Sequence, residues 1–238
     1  AVLCDASPVY VPFAPGERLD LDRLAAAFGP RTRAIIVNTP GNPGGRVLSR
    51  EELEGIAELC IRHDAYAVTV TISGASKTFS ITGWRIGWIV APPALTEAIR
   101  KVHDFLTVGA PAPLQEGVAV ALEVLGQSYY DDMAAAYRRR RDLLFEALVR
   151  AGFRCITPEG AYYILCDFSG LSDLDDTAFS RWLTREVGVT PVPGSSFFRH
   201  PELGRNLVRF AFCKTEDLLE EAAGRLAAWR ATSPARPT

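Results

Sequence analysis

The apolar run Arg33-Ala-Ile-Ile-Val37 passes without a break into Asn38-Thr-Pro-Gly-Asn-Pro-Gly-Gly45, eight residues with two prolines and three glycines. A strand can end there, but no ladder or helix continues through it, because proline lacks the amide proton and glycine resists backbone ordering. Ser49 with Glu52 three residues later is a capping box, which opens a helix through about Arg62. A second apolar run follows from Tyr66 to Ile72. Strand, turn-rich loop, helix and strand make a βαβ unit, which predicts an α/β fold with a mostly parallel sheet flanked by helices. Asn42 then falls at the carboxyl edge of the sheet, where ligands bind in open α/β folds.

Further short strands are predicted for Val9 to Phe13 and Trp88 to Ala91, and a helix for Asp20 to Phe28. Apolar residues at three and four spacing predict helices over Ala94 to Leu106, Pro113 to Leu125 and Tyr129 to Ala151. Beyond Gly152 the pattern changes. Strands are predicted at Phe153 to Ile156, Tyr162 to Phe168, Val189 to Pro191 and Leu207 to Phe212, with helices at Thr177 to Val187 and Glu216 to Arg230. This divides the chain into a large domain over residues 1–139 and a smaller α/β domain over 140–238, with a frayed tail from Ser233.

Charge excludes some partners. A formal net charge of −2 supplies no field for a nucleic acid or an anionic membrane. The run Arg138 to Arg141 lies among Asp131, Asp132, Asp142 and Glu146, and so reads as a solvated helix face. No apolar run reaches the roughly 18 residues of a membrane span, and the N-terminus lacks the basic start of a signal peptide. Five scattered cysteines and three distant histidines predict reduced thiols, a cytoplasmic location and no metal site.

The chain has only three lysines, Lys77, Lys101 and Lys214, against 23 arginines. Lys77 follows Ser73-Gly-Ala-Ser76, small residues that let another molecule approach the backbone. Lysine, unlike arginine, can lose its proton when desolvated and act as a nucleophile, although a solvated turn lysine fits the local sequence equally well. Arg85 sits between Gly83 and Gly87 in an apolar stretch, where a bidentate phosphate contact accounts for it. Arg209 interrupts the apolar strand Leu207 to Phe212, and an edge-strand charge facing solvent is the plainer alternative.

Five segments in register resemble the fold-type-I, class I/II aminotransferases. They are Asn38 to Gly45, Ser76-Lys-Thr-Phe-Ser-Ile-Thr-Gly-Trp-Arg-Ile-Gly87, Pro158-Glu-Gly-Ala-Tyr-Tyr163, Pro193-Gly194 and Val208-Arg-Phe-Ala-Phe212. The stretches His103 to Gln115 and Arg209 to Lys214 look most like the kynurenine, glutamine and methionine aminotransferase branch. The resemblance implies pyridoxal 5'-phosphate as cofactor, with Lys77 forming the aldimine and moving the proton. It also implies Asn42 at the cofactor's 3′ oxygen, Arg85 at its phosphate and Arg209 at the substrate α-carboxylate. Ping-pong transfer from an L-amino acid to a 2-oxo acid, in a homodimer, follows from the same likeness.

Two departures accompany it. The family places an aspartate for the pyridine nitrogen and a tyrosine for the 3′ oxygen ahead of the lysine strand, whereas Ala65 to Ile72 has room for one strand only. The family's N-terminal third has no counterpart, and Gly74 stands where relatives carry a phosphate-binding hydroxyl, leaving Ser73 or Ser76. The expectation is that the sequence omits stretches of a longer protein. Other readings are another pyridoxal-phosphate reaction (β-lyase, cyclase or oxidase), the ligand-sensing domain of a transcription regulator, or an inactive relative.

Overall fold

Helix starts follow their capping residues. In the computed structural model, which describes residues 5–12, 16–65 and 70–232, Asp20 accepts the Arg23 amide and opens α1 (Leu21–Ala26). Ser49 and Glu52 satisfy each other's backbone amides in a complete capping box at the head of α2 (Arg50–Arg62). Leu24, Ile56, Leu59 and Cys60 bury the faces of these two helices against each other.

Strand β1 (Thr71–Gly74) leads straight into a single helical turn, α3 (Ala75–Thr78), which carries Lys77. A 3-10 turn over Thr82–Trp84 reverses the chain into β2 (Gly87–Val90), antiparallel to β1. Three helices follow: α4 (Pro93–Thr107), α5 (Ala112–Val124) and the 24-residue α6 (Gln127–Arg150). Ala75, Ile86 and Val118 form a small core that seats the Lys77 turn against α5.

After α6 the chain builds an antiparallel sheet in the order β3-β4-β6-β5, from Arg154–Ile156, Tyr163–Asp167, Leu207–Ala211 and Val192–Pro193 respectively. Helix α7 (Asp176–Trp182), continued by a π-turn over Leu183–Val187, and helix α8 (Glu216–Thr232) pack with it. Residues Tyr163 to Cys166 of β4 are all buried, because β4 has neighbours on both edges and covered faces. Leu148, Ile164, Phe168, Phe179, Leu183 and Leu226 are wholly buried in this core, and the rings of Phe168 and Phe179 stack at 4.1 Å.

The mixed helix and sheet content agrees with the α/β expectation, but the parallel pairing does not occur among the described residues. Their strand pairings are all antiparallel. Arg33 to Val37 keeps only one bridge residue, Ala34, and Ile36 is 90 % exposed. Among the described residues this segment forms no ladder beyond that bridge. Val9 to Pro12 is likewise not a strand, and Phe13 and Tyr66 to Thr69 lie outside the described residues, as does the tail from Ser233. The strand expected at Val189 to Pro191 falls instead at Val192–Pro193, where it pairs with Arg209 and Val208.

Candidate active site

Lys77 points from α3 toward the 3-10 turn, where its Nζ donates to Thr82 Oγ1 at 3.3 Å. The Thr82 hydroxyl donates in turn to Ser76 O at 3.2 Å, closing a small ring around the lysine. Arg85 Nη1 donates to Thr82 O at 3.2 Å, so lysine and arginine converge on one residue. Arg85 caps that turn in the left-handed region, φ 56°, although it is not glycine. Such backbone costs on the order of 1 kcal/mol and is held by its surroundings, here a turn whose next residue, Ile86, is buried. Lys77 Nζ also lies 5.6 Å from the centre of the Tyr162 ring.

Arg209 extends from β6, with its guanidinium carbon 4.6 Å from the Tyr163 ring centre and 4.5 Å from that of Phe197. Its Nη1 donates to Asn42 Oδ1 at 2.6 Å across 167 residues of sequence. Arginine can only donate, so the contact fixes the amide orientation: Asn42 Oδ1 faces Arg209 and Nδ2 remains a donor. Arg209 Nε is buried and has no hydrogen-bond partner among the described residues. Burial first, then Tyr162, push the Tyr163 phenol up from its ordinary pKa, against the lowering pull of Arg209. Tyr163 therefore stays a neutral aromatic wall.

Lys77 thus lies beside Tyr162 and the Asn42–Arg209 pair beside Tyr163, the two rings being 5.1 Å apart, while Arg85 meets Lys77 at Thr82. Lys77, Arg85 and Asn42 are exposed and open to a ligand. The donor set suits pyridoxal phosphate at three points: an amine for the aldehyde, an amide donor for the phenolic oxygen and a guanidinium for the phosphate. The orphaned Arg209 Nε suits a carboxylate. Ala65 to Ile72 contains no carboxylate to meet a pyridine nitrogen.

Sequence reasoning passed over Thr82, Phe197 and the walling role of Tyr162 and Tyr163. All four lie within or beside the quoted motifs, but only the fold brings their side chains to the lysine and the arginine. Among the described residues no group of three or more His, Cys, Asp or Glu could hold a metal ion, and no helix is long and apolar enough to cross a membrane.

The family model for aminotransferase class I and II matches residues 1–69 and 62–226. The two matched stretches meet where the sequence lacks the expected aspartate and tyrosine. The chain is 34 % identical over 257 residues to kynurenine–oxoglutarate transaminase of Dictyostelium discoideum, covering 88 % of this chain and 59 % of that protein. It is 32 % identical over 239 residues to methionine aminotransferase of Escherichia coli, covering 89 % and 61 %. The solved structure of N-succinyldiaminopimelate aminotransferase from Mycobacterium tuberculosis superposes with a TM-score of 0.84 at 36 % identity, covering 92 % of this chain and 64 % of that one. The chain thus spans about three fifths of the length of these relatives.

Proposed function

The chain belongs to the aminotransferase class I and II family, and from that premise we propose that it carries the core of a pyridoxal-phosphate-dependent aminotransferase. The reaction moves the amino group of an L-amino acid to a 2-oxo acid. One observation carries the reading: Lys77 beside Tyr162 and the Asn42–Arg209 pair beside Tyr163 face one another across adjoining rings, Arg85 joins Lys77 at Thr82, and the Nε of Arg209 is buried with no partner among the described residues.

Pyridoxal phosphate, when bound, supplies the electron sink that makes the bonds at an amino acid's Cα labile. The residues of the chain do the rest. Lys77 would hold the cofactor through its amine and would move the proton at the substrate Cα. Arg85 would hold the phosphate. Asn42 would offer Nδ2 as a donor to the phenolic oxygen, since its Oδ1 is taken by Arg209. Arg209 binds the α-carboxylate, and the Tyr163 and Phe197 rings exclude water from its faces and hold it in one rotamer.

The same reading takes residues 1–139 as part of the cofactor-binding domain and 140–238 as the small domain. Supporting this, the largest core draws its buried members from Leu144 to Trp229. A cytoplasmic homodimer belongs to it as well. In support, Cys60, Cys155, Cys166 and Cys213 are free thiols, and α4 leaves Val102, Phe105 and Leu106 exposed for a second copy to cover.

The test is to incubate the full chain with pyridoxal phosphate, an L-amino acid and 2-oxoglutarate, and to follow glutamate by mass. Glutamate should form, vanish with Lys77→Ala, and with Arg209→Ala require ~100-fold more amino acid, in keeping with a lost charge-assisted contact of roughly 2–3 kcal/mol. Glutamate formation indifferent to Lys77 contradicts the assignment.

A further inference from the structure

The loop that carries Asn42 is fastened to a turn far away in sequence. Gly45 O accepts two amides, Glu159 N at 3.0 Å and Gly160 N at 2.8 Å. In the other direction, the Val47 amide donates to Glu159 Oε2 at 2.8 Å across 112 residues. The approach is backbone to backbone. Gly45 adopts φ +69°, and a Cβ there would lie 2.6 Å from Pro158 Cβ, while one on Gly160 would lie 2.6 Å from Pro40 Cγ.

The two ends of this clasp lead to the two sides of the site. Within the loop, Gly41 N donates to Arg46 O at 2.8 Å and Gly45 N to Gly41 O at 2.7 Å, closing a tight ring around Asn42. A shift at Gly45 to Val47 is therefore passed to Asn42. At the other end, Pro158 to Gly160 runs into β4, whose Leu165 pairs with Arg209 of β6. The clasp thus sets the distance between an amide on the cofactor side and a guanidinium on the substrate side.

We infer that Glu159 is a positioning residue, which holds Asn42 against Arg209 by tying the Asn42 loop to the strand pair that bears the arginine. Its side chain bonds to the Val47 amide and acts on the site through that loop backbone. Glu159 is exposed, so this bond contributes little to global stability and its removal acts on geometry before fold. The inference rests on the function proposed above, and its test separates the two.

Hydrogen exchange over residues 38–48 of the cofactor-free full chain is read first. Glu159→Ala should speed exchange there with an unchanged melting temperature, and unchanged exchange overturns the clasp whatever the protein binds. The pyridoxal-phosphate dissociation constant, kcat and KM are then measured in a cycle of Glu159→Ala with Asn42→Ala. Glu159→Ala alone should lower kcat/KM by ~10-fold, the scale of a sub-ångström misplacement. In the Asn42→Ala background it should add less than ~2-fold, and full additivity overturns the inference. Glu159→Gln keeps an acceptor for the Val47 amide and should restore wild-type values; a Gln variant as impaired as Ala also overturns it. A wild-type chain that binds no cofactor, alongside a loosened loop in Glu159→Ala, overturns the proposed function and with it the role of the clasp.

Discussion

Replacing Glu52 by glutamine should destabilise the protein by roughly 2–3 kcal/mol at neutral pH. Glu52 is 5 % exposed, and its carboxylate takes three donors: Leu19 N at 2.7 Å, Ser49 N at 2.8 Å and the Arg46 guanidinium. Burial alone would raise its pKa. The Ser49 amide, the Arg46 hydrogen bond and charge, and the Leu19 amide outweigh burial and hold it at about 2, against an ordinary 4.5. That drop converts to about 3 kcal/mol without screening, which solvent at the loop edge reduces to roughly 2 kcal/mol. Glutamine has one acceptor and one donor group where the site presents donors on both sides, so one amide or guanidinium loses its partner, adding about 1 kcal/mol.

Because the folded pKa lies below the unfolded one, this stability is present above about pH 4.5 and is lost as pH falls toward 2. Urea titrations at pH 7 and pH 3, with thermal melts alongside, read the effect. The variant should melt about 5–10 °C lower at pH 7 and show a smaller loss between pH 5 and pH 3 than wild type. Equal stability at pH 7, or an undiminished acid loss in the variant, refutes the reasoning.

Two further outcomes follow from the packing. Tyr129→Phe removes the hydroxyl that donates to Thr78 O at 2.8 Å beside Lys77; the variant should lose about 1 kcal/mol in denaturant titration and bind pyridoxal phosphate more weakly, and a binding constant equal to wild type contradicts that tie. In a thiol titration of the native protein at pH 8, exposed Cys213 should react rapidly. Cys60, raised by burial, and Cys166, raised by burial and by Cys155 at 3.0 Å, should react only after unfolding; rapid Cys166 labelling contradicts the closed β3-β4 packing.

Local signals in the sequence translated directly into structure. The Ser49/Glu52 capping box formed as spaced, the helices from α4 to α6 fell within two residues of their periodic runs, and Glu216 opened α8 as expected. Tyr163–Asp167 and Leu207–Ala211 became the central strands of their sheet. What escaped was non-local. The apolar run Arg33 to Val37 does not itself say how far a ladder will extend, so a strand was expected where, among the described residues, one bridge residue stands. The turn residues before Lys77 concealed a helical turn, because small residues favour neither state strongly. Asn42 and Arg209 were chosen for separate roles, and their mutual hydrogen bond lies beyond any periodicity argument. Glu52 was legible as a cap but not as the partner of Leu19 and Arg46, since those contacts depend on how α1 and the Asn42 loop pack on α2.

The most direct measurement is covalent trapping. The full chain is mixed with pyridoxal phosphate, reduced with borohydride, digested and mapped by mass, for wild type and for Lys77→Ala. One modified peptide containing Lys77 is expected, absent from the variant, with Lys101 and Lys214 unmodified. Labelling spread over all three lysines, or no labelling at all, would contradict the claim that this site is built to hold the cofactor.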